Sequence, residues 1–173
     1  DAGAAVLRHG KPRGKGAAMA TGWARATEQG AEWVLFLDGD GQHDPAEADR
    51  FLEQADRGAQ LVIGNRMGNP CPMPSLRWFT NRWVSRRVSR LAGCRVPDAL
   101  CGYRLVHLPI LAALGLRSRR YEIESEMTVA FGRQGLPIVS VPISCRYRSE
   151  RSRISPIRDT LRWFRWYQRA CRI

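Results

Sequence analysis

Long hydrophobic runs are missing from this chain of 173 residues. Its longest apolar stretches, WVLFL at 33–37 and PILAALGL at 109–116, fall far short of the roughly 18–20 residues a membrane-spanning helix needs, so no span is expected. The opening DAGAAVLRHGKPRGKG lacks the apolar core of a secretory signal, and it does not start with Met. A fragment of a longer polypeptide is therefore expected. Cysteines are few: Cys71, Cys94, Cys101, Cys145 and Cys171 are odd in number and never spaced as CxxC. That argues against a zinc site and for a reduced, cytoplasmic setting. Only three histidines occur, and His43 and His107 have no ligand-spaced partner, so both are read as structural. Acidic residues are also scarce, 16 against 28 Lys and Arg, for a net charge of +12. The excess is mostly arginine, which forks onto phosphate oxygens and favours phosphate-rich partners; a GC-rich genome would also enrich arginine without functional cause.

What is present reads as one α/β domain with a real core, 44% hydrophobic and without repeats or linkers. Residues 4–8 suggest a short strand, and GKGAAMATGWARATEQG a helix over about 15–28. Residues 31–37 have the continuous apolar character of a strand covered on both faces. Asp44-Pro45-Ala46-Glu47 looks like a capping box that opens a helix to about Asp56, and AQLVIGNR is a further buried strand. This alternation predicts βαβ crossovers and a mainly parallel sheet flanked by helices. Beyond the prolines at 70, 72 and 74 comes a long helix, SLRWFTNRWVSRRVSRLAG. Leu76, Phe79, Trp83 and Leu91 lie near one stripe, with arginines elsewhere. CRVPDALCGYRLV reads as turn-rich, about 123–134 as a helix, LPIVSVPISCRYR as late strands, and the tail as a basic aromatic helix.

The chemistry concentrates in DGDGQHDP, directly after the apolar strand. Ligands of open α/β sheets bind beyond the carboxyl ends of the strands. With one residue between them, Asp38 and Asp40 are able to face one hard cation, with the Gln42 amide oxygen as a third ligand. Two desolvated carboxylates repel unless a cation or protons intervene. Asp44 is better explained as the cap of the next helix. A phosphatase of the haloacid-dehalogenase type is a rival for two such aspartates, but the residue four beyond its first Asp is usually Thr or Val, and here it is Gln42.

In context the string is more specific. GKGAAMATGWARA ahead of it, then LVIGNR, DALCGYRLV, YEIESEM and VSVPISCRYRSERSRI behind it, resemble in order the family 2 glycosyltransferases. The likeness is to the branch of dolichyl-phosphate mannose synthase and bacterial polyprenyl-phosphate sugar synthases, and it spans nearly the whole chain. It implies a GT-A fold, Rossmann-like, and an inverting transfer from a nucleotide-diphosphate sugar of the GDP-mannose or UDP-glucose type. The implied acceptor is a polyprenyl or dolichyl phosphate at the cytoplasmic, inner face of an anionic membrane. By motif match, Asp38, Asp40 and Gln42 hold Mg2+ or Mn2+, with Asp40 also counted as catalytic. Arg66, Arg104, Arg148, Ser152 and Arg153 meet donor or acceptor phosphates. Lys15 approaches the diphosphate at a helix start that is not a Walker A loop. Asp98 matches the residue that acts as general base where the acceptor is a hydroxyl; here it is expected to do that or to orient a sugar hydroxyl or an arginine. Glu126, rather than Glu124, fits the family pattern.

The halves implied are 1–69 for nucleotide sugar and metal, 70–154 for the acceptor, and 155–173 for a basic amphipathic helix. Family members begin with strands ending in P-x-x-N-E and D-D-G-S; neither string is present, so the first strands of the sheet are expected to be missing. Two alternatives differ in class. One is a glycosyltransferase with a hydroxyl acceptor. The other is a basic nucleic-acid-binding module built on the Arg/Trp helices at 75–92 and 155–172, although no helix-turn-helix or RNA-binding strand motif accompanies them. Aromatics at the level of lipid headgroups, with arginines on lipid phosphates, account for the same helices.

Overall fold

The computed structural model describes residues 3–68, 73–145 and 156–172. Four strands form one sheet: β1 (Trp33–Phe36), β2 (Leu61–Asn65), β3 (Arg104–His107) and β4 (Ile138–Pro142), in the order β1-β3-β2-β4. β2 and β4 pair in parallel, Leu61 opposite Ile138 and Asn65 opposite Pro142. β3 runs antiparallel to both its neighbours, with Phe36 and Ile63 each opposite Arg104. Three of the four strands therefore share one direction, and β3 is the reversed one inserted between β1 and β2.

Six α-helices accompany the described sheet: α1 (Lys15–Glu28), α2 (Ala48–Asp56), α3 (Ser75–Ala92), α4 (Leu108–Ala113), α5 (Ile123–Arg133) and α6 (Pro156–Ala170). The start of α2 follows its sequence: the Asp44 side chain accepts from Ala46 N at 3.0 Å, Pro45 opens a short 3-10 turn, and the α-helix continues from Ala48. The core is built on the central strands, where Leu61, Val62, Ile63 and Val106 are wholly buried, and it extends through Phe51, Ile123, Met127 and Phe131. α3 and α5 lie so close that a Cβ on Gly132 would collide with the Ala92 carbonyl and stand 2.6 Å from the Ala92 Cβ.

Several expectations need correction. Residues 4–8 form no strand among the described residues, and Val6 and Leu7 are exposed. β1 is not covered on both faces. It is an edge of the described sheet, and Leu35 and Leu37 remain about 40% exposed. The segment read as turn-rich yields β3, which the sequence disguises because Arg104 sits in it, and α4 follows at once.

The long basic helix α3 also turns in an unexpected way. Its inward stripe is Asn81, Val84, Ser85, Val88 and Ala92, whereas Leu76 and Phe79 face outward, 80% and 64% exposed, and Trp83 turns towards α6. α6 lies alongside through an aromatic cluster: Trp83 meets Trp163 at 5.5 Å between ring centroids, and Trp163 stacks on Tyr167 at 5.2 Å. The Arg87 guanidinium caps the Trp83 ring at 4.3 Å.

Candidate active site at the tip of β1

β1 ends at Phe36, and two residues later the chain delivers Asp38 into a close-fitting slot. Its Oδ1 accepts from Lys15 Nζ at 2.6 Å. On another side the carboxylate lies against bare backbone at Gly102, where a Cβ would collide with Oδ2 and stand 2.7 Å from Cγ. Gly102 is thus required by what faces it rather than by a turn.

Lys15 reaches past Asp38 to Glu124 at 2.5 Å, so one ammonium bridges two carboxylates contributed by β1's tip and α5. Burial works to lower the Lys15 pKa, yet the charges of Glu124 and Asp38 outweigh it and lift the ammonium above its ordinary range. Asp38 moves the other way: burial alone would raise it, and Lys15, then His43 and Arg66, bring it below the usual carboxylate range. Lys15 therefore supplies the positive charge that two neighbouring carboxylates demand.

Asp40 is placed differently. One oxygen accepts from Gln42 N at 3.1 Å, closing a small turn in which Gly41 has φ +69°, and Asp40 forms no ion pair among the described residues. The Gln42 amide oxygen faces the Cys145 thiol at 4.0 Å. Beneath the turn His43 is buried, stacked on Tyr103 at 5.4 Å, and Tyr103 in turn stacks on Phe51 at 4.3 Å. Burial pushes the His43 pKa down, so the ring is a neutral prop for the turn.

Among the described residues no three His, Cys, Asp or Glu side chains gather into a metal cage of their own. The donor set fits a divalent cation of the kind that takes one or two carboxylates and completes its shell from substrate phosphates. Asp40 and Gln42 supply hard oxygens without a competing cation, whereas Asp38 already has one in Lys15.

Arg66, at the end of β2, is held with little freedom. Its backbone N, Nε and Nη2 all donate to Asp98, at 3.1, 2.7 and 2.9 Å, and Asn81 Nδ2 adds a further bond to Oδ1 at 2.8 Å. Asp98 is wholly buried. Burial would raise its pKa, but the bonds and charge of Arg66, with Asn81, bring it below the ordinary carboxylate range. With both oxygens saturated and no exposure, Asp98 orients Arg66, one of the alternatives expected of it, and the catalytic-base alternative has no free oxygen to rest on.

Arg104 is likewise corrected. It is fully buried, and its guanidinium donates to the carbonyls of Cys101, Ala99 and Glu124 and to Thr128 Oγ1, at 2.5–2.9 Å. It ties the loop before β3 to α5 and is out of reach of a phosphate in solvent. Glu126 accepts from Arg117 N and Ser118 N at 3.0 and 2.7 Å, pinning the turn ahead of α5. The site carboxylate from α5 is Glu124, which sequence reasoning passed over. Its signal was periodic: 124, 127, 128 and 131 share the buried face of α5. Arg148, Ser152 and Arg153 lie outside the described residues.

A groove of about 770 Å³ runs past Asn65 and Met67, which flank Arg66, and along α3. Arg82, Arg86, Arg90 and Arg95 line it, with no carboxylate among its lining residues. These four are exposed and form no ion pair among the described residues.

Comparison with known proteins agrees with this architecture. The family model described as Glycosyl transferase family 2 matches residues 1–115. The glycosyltransferase AglJ of Haloferax volcanii is 32% identical over 92% of this chain and 53% of its own length. The undecaprenyl-phosphate mannosyltransferase of Micrococcus luteus is 33% identical over 80% of this chain and 59% of its own. The chain thus spans somewhat over half the length of these relatives. Among solved structures, glucosyl-3-phosphoglycerate synthase from Mycobacterium tuberculosis in complex with UDP superposes with a TM-score of 0.64 at 22% identity, over 94% of this chain and 56% of that one, a likeness of fold. With more than half of its residues matched by the family model, the chain belongs to glycosyl transferase family 2.

Proposed function

We propose that this chain serves the transfer of a sugar from a nucleotide-diphosphate donor to a polyprenyl phosphate, with inversion at the anomeric carbon. The arginine groove beside Arg66 is the observation that carries the choice of acceptor. Four arginines without a carboxylate among them repel one another, and an anionic occupant relieves that repulsion. A phosphate acceptor is ionised near neutral pH and needs no general base, which agrees with an Asp98 saturated by Arg66 and Asn81. A hydroxyl acceptor would need a free base, and Asp98 does not provide one. Relatives named for the same chemistry, the undecaprenyl-phosphate mannosyltransferase and a Methanococcus voltae dolichyl-phosphate N-acetylglucosaminyltransferase, support this reading.

In this scheme residues 1–69 carry the donor and 70–154 the acceptor. Asp40 and Gln42 hold a Mg2+ or Mn2+ ion, which when bound neutralises charge on the departing nucleoside diphosphate; a solved structural relative was crystallised with Mn2+ and UDP. Lys15 keeps Asp38 and Glu124 fixed behind them, and Arg66, immobilised by Asp98, faces the acceptor phosphate. The outward pair of Leu76 and Phe79 beside the arginine groove suits an anionic, cytoplasmic membrane face, with the apolar side chains below the headgroups and the arginines on phosphates. No described helix is long and apolar enough to cross a membrane.

The test is sugar transfer by the intact polypeptide, using radiolabelled GDP-mannose and UDP-glucose as donors and a polyprenyl phosphate as acceptor, with product extracted into organic solvent. Asp40→Asn is expected to lower metal-dependent transfer by at least about 100-fold while circular dichroism is unchanged. Wild-type turnover in that variant would remove the metal role from Asp40.

A further inference from the structure

A second basic cavity has Lys15 in its wall and shares no lining residue with the α3 groove. It holds about 290 Å³ and is enclosed by the start of α1 at Gly14 and Lys15, the turn at Arg120 and Tyr121, and the first turns of α6 at Arg158, Asp159 and Arg162. Three segments far apart in sequence converge on it, and two of its walls are held in place by specific bonds.

The first wall is the turn at 117–120. Glu126 grips it from α5 through Arg117 N and Ser118 N. α1 grips it from the opposite side, where Ala17 N donates to the Arg119 carbonyl at 3.0 Å. The glycines of the GKG string make that approach possible. A Cβ on Gly14 would stand 2.5 Å from Arg119 O and 2.8 Å from Arg120 Cγ, and one on Gly16 would stand 2.5 Å from Ser118 O. These glycines therefore dock the turn that presents Arg120.

The second wall is α6, tied to α5 where Trp163 Nε1 donates to Ser125 Oγ at 3.0 Å; within it Arg162 pairs with Asp159 at 3.1 Å. Lys15 is already shared by Asp38 and Glu124. That leaves Arg120 and Arg158, exposed and without an ion pair among the described residues, as the two uncompensated charges of the cavity.

We propose that this cavity is a phosphate-binding subsite, with Arg120 and Arg158 as its binding residues and Tyr121 and the α1 backbone as its walls. Two arginines match a phosphate group carrying close to two negative charges near neutral pH, and their planar forks suit its oxygens. Two sources supply such a group: the diphosphate of a nucleotide and the monophosphate of an isoprenoid lipid. Which of them docks here rests on the proposed sugar transfer; the site itself does not.

The experiment is calorimetric titration of the intact polypeptide with inorganic pyrophosphate, UDP, GDP and farnesyl phosphate, none of which requires turnover. Arg120→Met and Arg158→Met are compared with wild type and with Arg57→Met, an exposed arginine that lines neither cavity, as a control. A loss of tenfold or more in pyrophosphate and nucleotide affinity in the first two variants, with Arg57→Met unchanged, establishes the subsite on the donor side. The same loss confined to farnesyl phosphate establishes it on the lipid side. Affinities within twofold of wild type for every probe in both variants overturn the proposal. Glu126→Gln, which loosens the turn without removing a cation, is expected to weaken the same probe by a smaller factor. Sugar transfer measured in parallel separates failure of this subsite from failure of the proposed reaction.

Discussion

Asp98 shows how a single residue's environment decides its chemistry. A carboxylate with four hydrogen bonds to Arg66 and Asn81, and no exposed surface, cannot accept a proton without breaking an ion pair. Because its folded pKa lies below the ordinary value, the pair stabilises the protein above the unfolded carboxylate pKa of about 4, and that stability is lost as pH falls through the lower folded value. Lys15 has the opposite sign: its raised pKa means a contribution present below about pH 10 and lost only at still higher pH. Asp98→Asn leaves the nearly buried Arg66 guanidinium without its counter-charge. It is expected to cost about 3–5 kcal/mol in urea unfolding at pH 7. The gap to wild type should narrow as the pH is taken below 4, where the wild-type carboxylate begins to lose its ionic advantage. A gap that stays constant from pH 7 to 3 would show that Asp98 contributes through packing alone.

At the scale of elements, α3 and α5 brace the site: α3 brings Asn81 to Asp98, and α5 brings Glu124 to Lys15. Their separation is set by Gly132 against Ala92. Gly132→Ala must push the helices apart and is expected to destabilise by about 1–3 kcal/mol, read as a lower thermal midpoint. An unchanged midpoint would mean the interface repacks freely. The elements that the sequence made legible are those with local signals. α1 begins at a glycine pair, α2 at a capped Asp-Pro, and β2 opens with the apolar run Leu61-Val62-Ile63. β3 escaped because its first residue is a buried arginine whose partners are carbonyls at 99, 101 and 124, and no local pattern reveals such satisfaction. The acidic tip at Asp38 and Asp40 was legible as a site. That Lys15 and Glu124 complete it was not, since that contact spans 109 residues of sequence.

For the whole molecule, the net charge of +12 is less informative than its distribution. Of the five arginines of α3, Arg82, Arg86 and Arg90 line the groove and Arg87 covers the Trp83 ring, while Leu76 and Phe79 stay exposed. A nucleic-acid binder has no need of that apolar stripe, whereas a membrane surface rewards both parts at once: apolar burial below the headgroups and charge pairing at them. The two partners therefore predict different mutational signatures. Phe79→Ser with Leu76→Ser removes apolar area and no charge. It is expected to lower sedimentation with phosphatidylglycerol vesicles by about tenfold or more, since burying each such side chain contributes about 1.5–3 kcal/mol. Duplex DNA binding, which draws on phosphate contacts, should not respond to this pair of substitutions. Arg86→Gln with Arg90→Gln should weaken vesicle binding most at low salt and little at high salt, as screening predicts. If instead the serine pair leaves vesicle binding intact while duplex DNA binds tightly at physiological salt, the basic surface serves a nucleic acid and the membrane assignment falls.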